Sequence, residues 1–195
     1  MNQKTKKMVG VGLLTAIVVV LQSLAVITPV GIFNLNLVLV PIVVGAALYG
    51  IAAGAWLGFV SAMMILFTNA GAFLAVSVIG TIITVLGKGI GSGLIAGLVY
   101  KLLKKINLTI SVICAAIACP IVNTGVFLLG CWLFFLPTIT EWGKGWAEST
   151  GKETFSVVEY ALVGLVGTNF LVELAISIVL SSTIVRIIQI SKSSR

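Results

Sequence analysis

The sequence predicts an all-α integral membrane protein: a compact bundle of six transmembrane helices with the N and C termini both cytoplasmic. Three observations predict it. Eighty consecutive residues between Lys7 and Lys88 carry no charge. Mean hydropathy is +1.24, and only 9% of the 195 residues are charged. Apolar runs of about 20 residues, the length that crosses a hydrocarbon layer roughly 30 Å thick, recur about six times with little sequence left over. A soluble domain of this size cannot hide so much apolar surface, because a globule still exposes a large share of its area to water. The chain 1–195 therefore reads as a single transmembrane domain, with spans at 8–28, 37–50, 51–68, 81–103, 109–136 and 159–184.

The first span follows Lys4, Lys6 and Lys7. This start has the outline of a signal peptide, but its apolar stretch is too long and lacks a persuasive small-residue cleavage site, which predicts a retained helix. Gly12 and Ala16 stand four residues apart in it, a pair that lets another helix approach closely; taken alone, it predicts packing inside the bundle. Thr28–Asn36 alternates apolar and polar residues at its end, through Asn34 and Asn36, and suits an extended stretch lying over a pocket on the outer face. The second and third spans share one uncharged run divided only by Tyr49-Gly50-Ile51. Ala46, Gly50, Gly54 and Gly58, with Gly89, Gly93 and Gly97 of the fourth span, predict close backbone packing. Pro120 in the fifth span removes a backbone donor and is expected to distort the helix beside Asn123 and Thr124. Between the fifth and sixth spans, Pro137–Val158 carries Trp142 and Trp146 four residues apart among Glu141, Lys144 and Glu148. It predicts a surface segment with its indoles at headgroup depth.

Orientation follows from the basic residues. Lys4, Lys6, Lys7, Lys101, Lys104, Lys105, Arg186, Lys192 and Arg195, nine of the twelve, fall on one side of a six-span arrangement, which marks that side as cytoplasmic. Glu141, Glu148 and Glu153 fall on the other. The net charge of +7 is explained by these span ends and implies no nucleic-acid partner. The chain has no histidine, so Ser-His or Cys-His hydrolysis and the HExxH type of metalloprotease are excluded. Cys114, Cys119 and Cys131, all in the fifth span with no CxxC pair, argue against a disulfide framework or a metal site. No nucleophile–base pair is visible, so no catalytic residue is assigned and the chain is not read as an enzyme.

Three short matches carry no function. Gly91-Ser92-Gly93-Leu94-Ile95-Ala96 fits a dinucleotide fingerprint but lies inside a span rather than after a strand, and Gly87-Lys88-Gly89 lacks the spacing of a phosphate loop. Asn107-Leu108-Thr109 fits a glycosylation sequon on the cytoplasmic side.

The polar residues inside the last three spans are more informative. Lys88 and Glu173 are the only ionisable side chains set within long apolar runs, where a charge is costly enough to mark function. Thr84 and Lys88 share a helix face, as do Asn169 and Glu173, each pair one turn apart. At about 1.5 Å per residue from the outer ends of the spans, Lys88 lies roughly 10 Å deep, Asn169 about 15 Å, and Asn123 and Glu173 near 20 Å. Thr84, Lys88, Asn123, Thr124, Asn169 and Glu173 thus form one candidate cavity open to the outside. The alternative is a mutual Lys88–Glu173 ion pair with the asparagines as interhelical hydrogen bonds. Burying both charges costs several kcal/mol each, so the pocket explains them better.

The pattern resembles the substrate-binding S components of energy-coupling factor (ECF) transporters over essentially the full length. The resemblance is carried by Gly12-Leu13-Leu14-Thr15-Ala16, by the stretch from Asn34-Leu35-Asn36 through Pro41 to Gly45-Ala46, and by Gly54-Ala55-Trp56-Leu57-Gly58. It implies a bacterial plasma-membrane protein that binds a vitamin or related micronutrient from outside. It also implies a transmembrane coupling subunit contacted through Gly12 and Ala16, and two cytoplasmic ATPases that use ATP, this chain holding no cofactor itself. In that family the connection between the first two helices covers the pocket, which would place Asn34 and Asn36 at the ligand. A lysine and a carboxylate in one pocket suit a ligand with an anionic group and several hydroxyl or amide groups, with pantothenate the first choice. Riboflavin and folate are disfavoured because the last three spans offer mainly Phe127, Trp132, Tyr160 and Phe170 for stacking. Two further readings are a stand-alone secondary transporter with Glu173 as proton carrier, and a structural membrane subunit that binds no small molecule.

Overall fold

The computed structural model describes residues 2–27, 37–151 and 155–193. Every element among them is helical: α1 (Gln3–Ile27), α2 (Leu39–Tyr49), α3 (Ile51–Thr68), α4 (Gly71–Val76), α5 (Val78–Leu103), α6 (Leu108–Phe134), α7 (Leu136–Ser149), α8 (Val157–Glu159), a wide-turned π-helical segment (Tyr160–Val166) and α9 (Gly167–Ser193). Five of them, α1, α3, α5, α6 and α9, are long and apolar enough to cross a membrane. Their outer faces carry exposed Leu13, Ile83, Leu133 and Val179, which suit a lipid-facing belt.

The second expected span is the exception. It corresponds to α2, whose 11 residues reach only about 16 Å. Leu39 and Pro41 through Ala46 are all buried, because α2 packs against α1, α3, α5, α6 and α9 at once. That position explains a sequence with no polar face. With Val18, Leu57, Ala96, Val112, Cys119 and Ile184, it fills the core of one half of the bundle. The fourth span begins at Val78 rather than residue 81, where the Ser77 hydroxyl accepts from the Gly80 N–H at 3.2 Å and caps α5. The short α4 before it had no signal in the sequence. Asn107, part of the sequon-like triplet, caps α6 by accepting from Thr109 and Ile110 N–H. α6 continues as α-helix through Pro120, so the proline does not break it.

Glycines set the register of the long helices. Gly54 of α3 lies against Gly93 of α5, where a Cβ on Gly54 would stand 2.7 Å from the Gly93 carbonyl oxygen. Gly58 lies against Gly89, and Gly97 against Ile51. The register is antiparallel, and no side chain fits between the two backbones. Antiparallel packing of α5 on α6 follows in the same way, with Gly80 against Phe134 and Gly130 against Thr84. Trp56 Nε1 donates to Thr15 Oγ1 at 3.2 Å and ties α3 to α1. One end of the bundle therefore collects the start of α1, the α2–α3 turn at Gly50 and the Lys101–Lys105 segment. The other collects the end of α1, α4, α7 and the π-helical segment.

α7 lies on the bundle by one stripe of residues. Ile139, Gly143 and Ala147 repeat every four residues and are buried, while Glu141, Lys144 and Glu148 face outward. Trp142 and Trp146 are half-buried on the packed side; Trp142 meets Phe73 edge-on at 5.4 Å and Trp146 lies 5.7 Å from the Tyr160 ring. Their spacing follows the buried stripe rather than the polar one, so the indoles anchor α7 to the bundle.

Candidate ligand-binding site

A cavity of about 290 Å³ opens at the end of the bundle away from Lys101–Lys105, in the half that α2 does not fill. From α5 it receives Thr81, Thr84 and Lys88, spaced three and four residues apart and so held on one helix face. Thr81 donates to the Ser77 carbonyl at 2.7 Å. The Thr84 hydroxyl is sealed beside Gly130 and has no hydrogen-bond partner among the described residues. α6 contributes Asn123, Thr124 and Phe127. The Lys88 ammonium stands 5.1 Å from the centre of the Phe127 ring, a cation–π arrangement.

A third wall begins at the π-helical segment. Its wide turns end at Gly167, whose φ of +39° is open chiefly to glycine, and α9 then presents Asn169, Phe170 and Glu173. Wide π turns recur at functional sites because they redirect the side chains that follow. Among the described residues no ion pair within 4.0 Å joins Glu173 to Lys88.

All six expected pocket residues in the described chain, Thr84, Lys88, Asn123, Thr124, Asn169 and Glu173, meet at this cavity. Asn34 and Asn36 lie outside the described residues. The structure adds Gln22 and Ala25 from α1, Asn69 from the end of α3, Thr81, and the rings of Phe73 and Phe135. Gln22 had a readable signal, since it is the only amide in the first apolar run. Phe73 and Phe135 had none. Of the aromatic residues expected nearby, Phe127 and Phe170 line the cavity; Tyr160 instead belongs to the aromatic cluster with Phe135, Ile139 and Trp146 that underlies α7.

Gly12 and Ala16 are exposed on α1, and among the described residues outside the backbone of α1 itself no atom lies within 4 Å of a Cβ built on Gly12. This pair is not part of the bundle's internal packing. Gly10 is, since its Cβ would run into the Tyr49 ring.

An apolar-belted helical bundle with a polar, charge-bearing cavity towards one end defines a multi-pass membrane protein built to hold a small molecule. The chain matches the family described as ECF transporter, substrate-specific component, over residues 6–189, and belongs to that family. Comparison with curated proteins and with solved structures found no match. Its role is accordingly that of the S subunit, the substrate-binding component of an ECF transporter.

Proposed function

We propose that this S subunit captures pantothenate, or a micronutrient of the same chemistry, from the outer side of a bacterial plasma membrane. The observation that carries the reading is the convergence of Lys88, Asn123, Asn169 and Glu173 on one cavity. Lys88 holds the ligand carboxylate by a charge-assisted hydrogen bond, the asparagines hold its amide, and Glu173 accepts from a hydroxyl. Phe73, Phe127, Phe135 and Phe170 pack against the branched hydrocarbon of the ligand. A volume of about 290 Å³ stands at the lower end of ligand pockets, which favours a compact molecule over riboflavin or folate.

Transport then needs partners. Gly12 and Ala16, exposed and flanked by exposed Leu13 and Ile17, form a shallow apolar face on which a helix of the coupling subunit packs. Two cytoplasmic ATPases supply the energy. The test is to purify the protein from cells grown in rich medium, identify the co-purifying small molecule by mass spectrometry, and titrate the emptied protein with pantothenate. Stoichiometric pantothenate supports the reading. A flavin or pterin in its place overturns the ligand, and uptake by the isolated protein that follows the proton gradient overturns the S-subunit mechanism.

A further inference from the structure

We propose that Gln22 is a specificity-determining contact, its side-chain amide hydrogen-bonding a neutral hydroxyl at the end of the ligand opposite the group held by Lys88. This inference rests on the proposed pantothenate site and adds a fixed orientation to it. Gln22 lines the cavity from α1 and is 4% exposed, and its Oε1 accepts no hydrogen bond among the described residues. Other polar side chains of α1 behave differently: Thr15 donates to the Val11 carbonyl at 2.8 Å and Ser23 to the Val19 carbonyl at 2.9 Å. A hydroxyl satisfies itself on its own helix in that way, whereas a glutamine amide has a second polar atom that the helix leaves unmatched. A buried carbonyl oxygen without a donor is costly, and methionine would fill the same volume without that cost. The residue type is therefore explained by a group that arrives with the ligand.

The position gives the ligand its direction. α1 packs chiefly on α2 and α3, whereas Lys88 lies on α5 against Phe127 of α6, so the amide and the ammonium approach the cavity from different walls. The last torsion of a glutamine side chain is soft, so either Oε1 or Nε2 turns toward the guest. A hydroxyl, being donor and acceptor together, meets either atom; a second carboxylate does not. Pantothenate accordingly lies with its carboxylate at Lys88 and its hydroxylated end at Gln22.

The experiment compares wild type, Gln22→Met and Lys88→Met by titration with pantothenate and with its analogue in which only the terminal hydroxyl, the one assigned to Gln22, is replaced by hydrogen. Melting of each protein without ligand is recorded alongside. Wild type is expected to bind the terminal deoxy analogue about tenfold more weakly or worse than pantothenate. Gln22→Met should bind the two within about threefold of each other, at the weaker level, and melt no lower than wild type. Unchanged pantothenate affinity in Gln22→Met, with Lys88→Met weakened, overturns this inference alone. Unchanged affinity in both variants overturns the cavity assignment as well, and a wild type that binds no pantothenate overturns ligand and orientation together. Should Gln22→Met fail to fold, the analogue on wild type decides: equal affinity for the two compounds sinks the proposal.

Discussion

Lys88 and Glu173 offer the sharpest test of the cavity as a ligand site. Lys88→Met keeps an unbranched side chain, shorter by its terminal atom, and removes the charge. In the ligand-free protein the change loses one cation–π contact with Phe127, at 5.1 Å, worth about 0.5–2 kcal/mol. It also relieves the desolvation of a buried cation that has no ion-pair partner within 4.0 Å among the described residues, a term of several kcal/mol. The ligand-free melting temperature should therefore hold or rise. With pantothenate the variant lacks a charge-assisted hydrogen bond of about 1.5–3 kcal/mol, so affinity should fall roughly 10–150-fold. At a ligand concentration of 100 times the wild-type Kd, binding stabilises wild type by about 2.7 kcal/mol. A 100-fold weaker variant retains only about 0.4 kcal/mol of that. The assay is thermal unfolding in lipid nanodiscs, with and without pantothenate, of wild type, Lys88→Met, Glu173→Gln and the double variant. Single variants destabilised by about 3–5 kcal/mol, with stability recovered in the double variant and the pantothenate-induced shift intact, would show that the two charges serve each other and would refute the ligand role.

Gly12→Leu and Ala16→Leu should leave pantothenate binding by the isolated subunit within about twofold of wild type while abolishing uptake by the assembled transporter, measured with radiolabelled substrate; equal loss of both activities contradicts the coupling face. Gly93→Val places a side chain against the backbone of Gly54 and should destabilise by about 2 kcal/mol or more in a melt, whereas Gly12→Ala, with open space at its Cβ, should change stability little. Gly167→Ala, at φ +39°, should destabilise by about 1–3 kcal/mol and weaken binding through the displaced Asn169, read by melting and titration together. An impermeant thiol reagent applied from outside to a variant lacking native cysteines should label a cysteine at position 144 and spare one at 104; the reverse pattern overturns the orientation.

Much of this molecule was legible along the chain because the bilayer imposes strong local rules. The uncharged run from Met8 to Gly87 requires apolar helices, and the cost of Lys88 and Glu173 within apolar runs marks them whatever the fold. Helical periodicity alone places Thr84 with Lys88, and Asn169 with Glu173. Depth along the spans pointed those pairs at one cavity, but the contacts that close it depend on helix crossings, and that of α5 with α6 is set by glycines whose partners lie far along the chain, Gly130 with Thr84 and Gly80 with Phe134. Gln22, Asn69, Phe73 and Phe135 reach the cavity from helix ends in four separate segments, so no spacing in the sequence links them. The half-length of α2 and the inward turn of Trp142 and Trp146 were equally hidden. Hydropathy records that a residue leaves water, but only the packed helices decide whether it leaves for lipid, for the protein core or for the wall of a binding site.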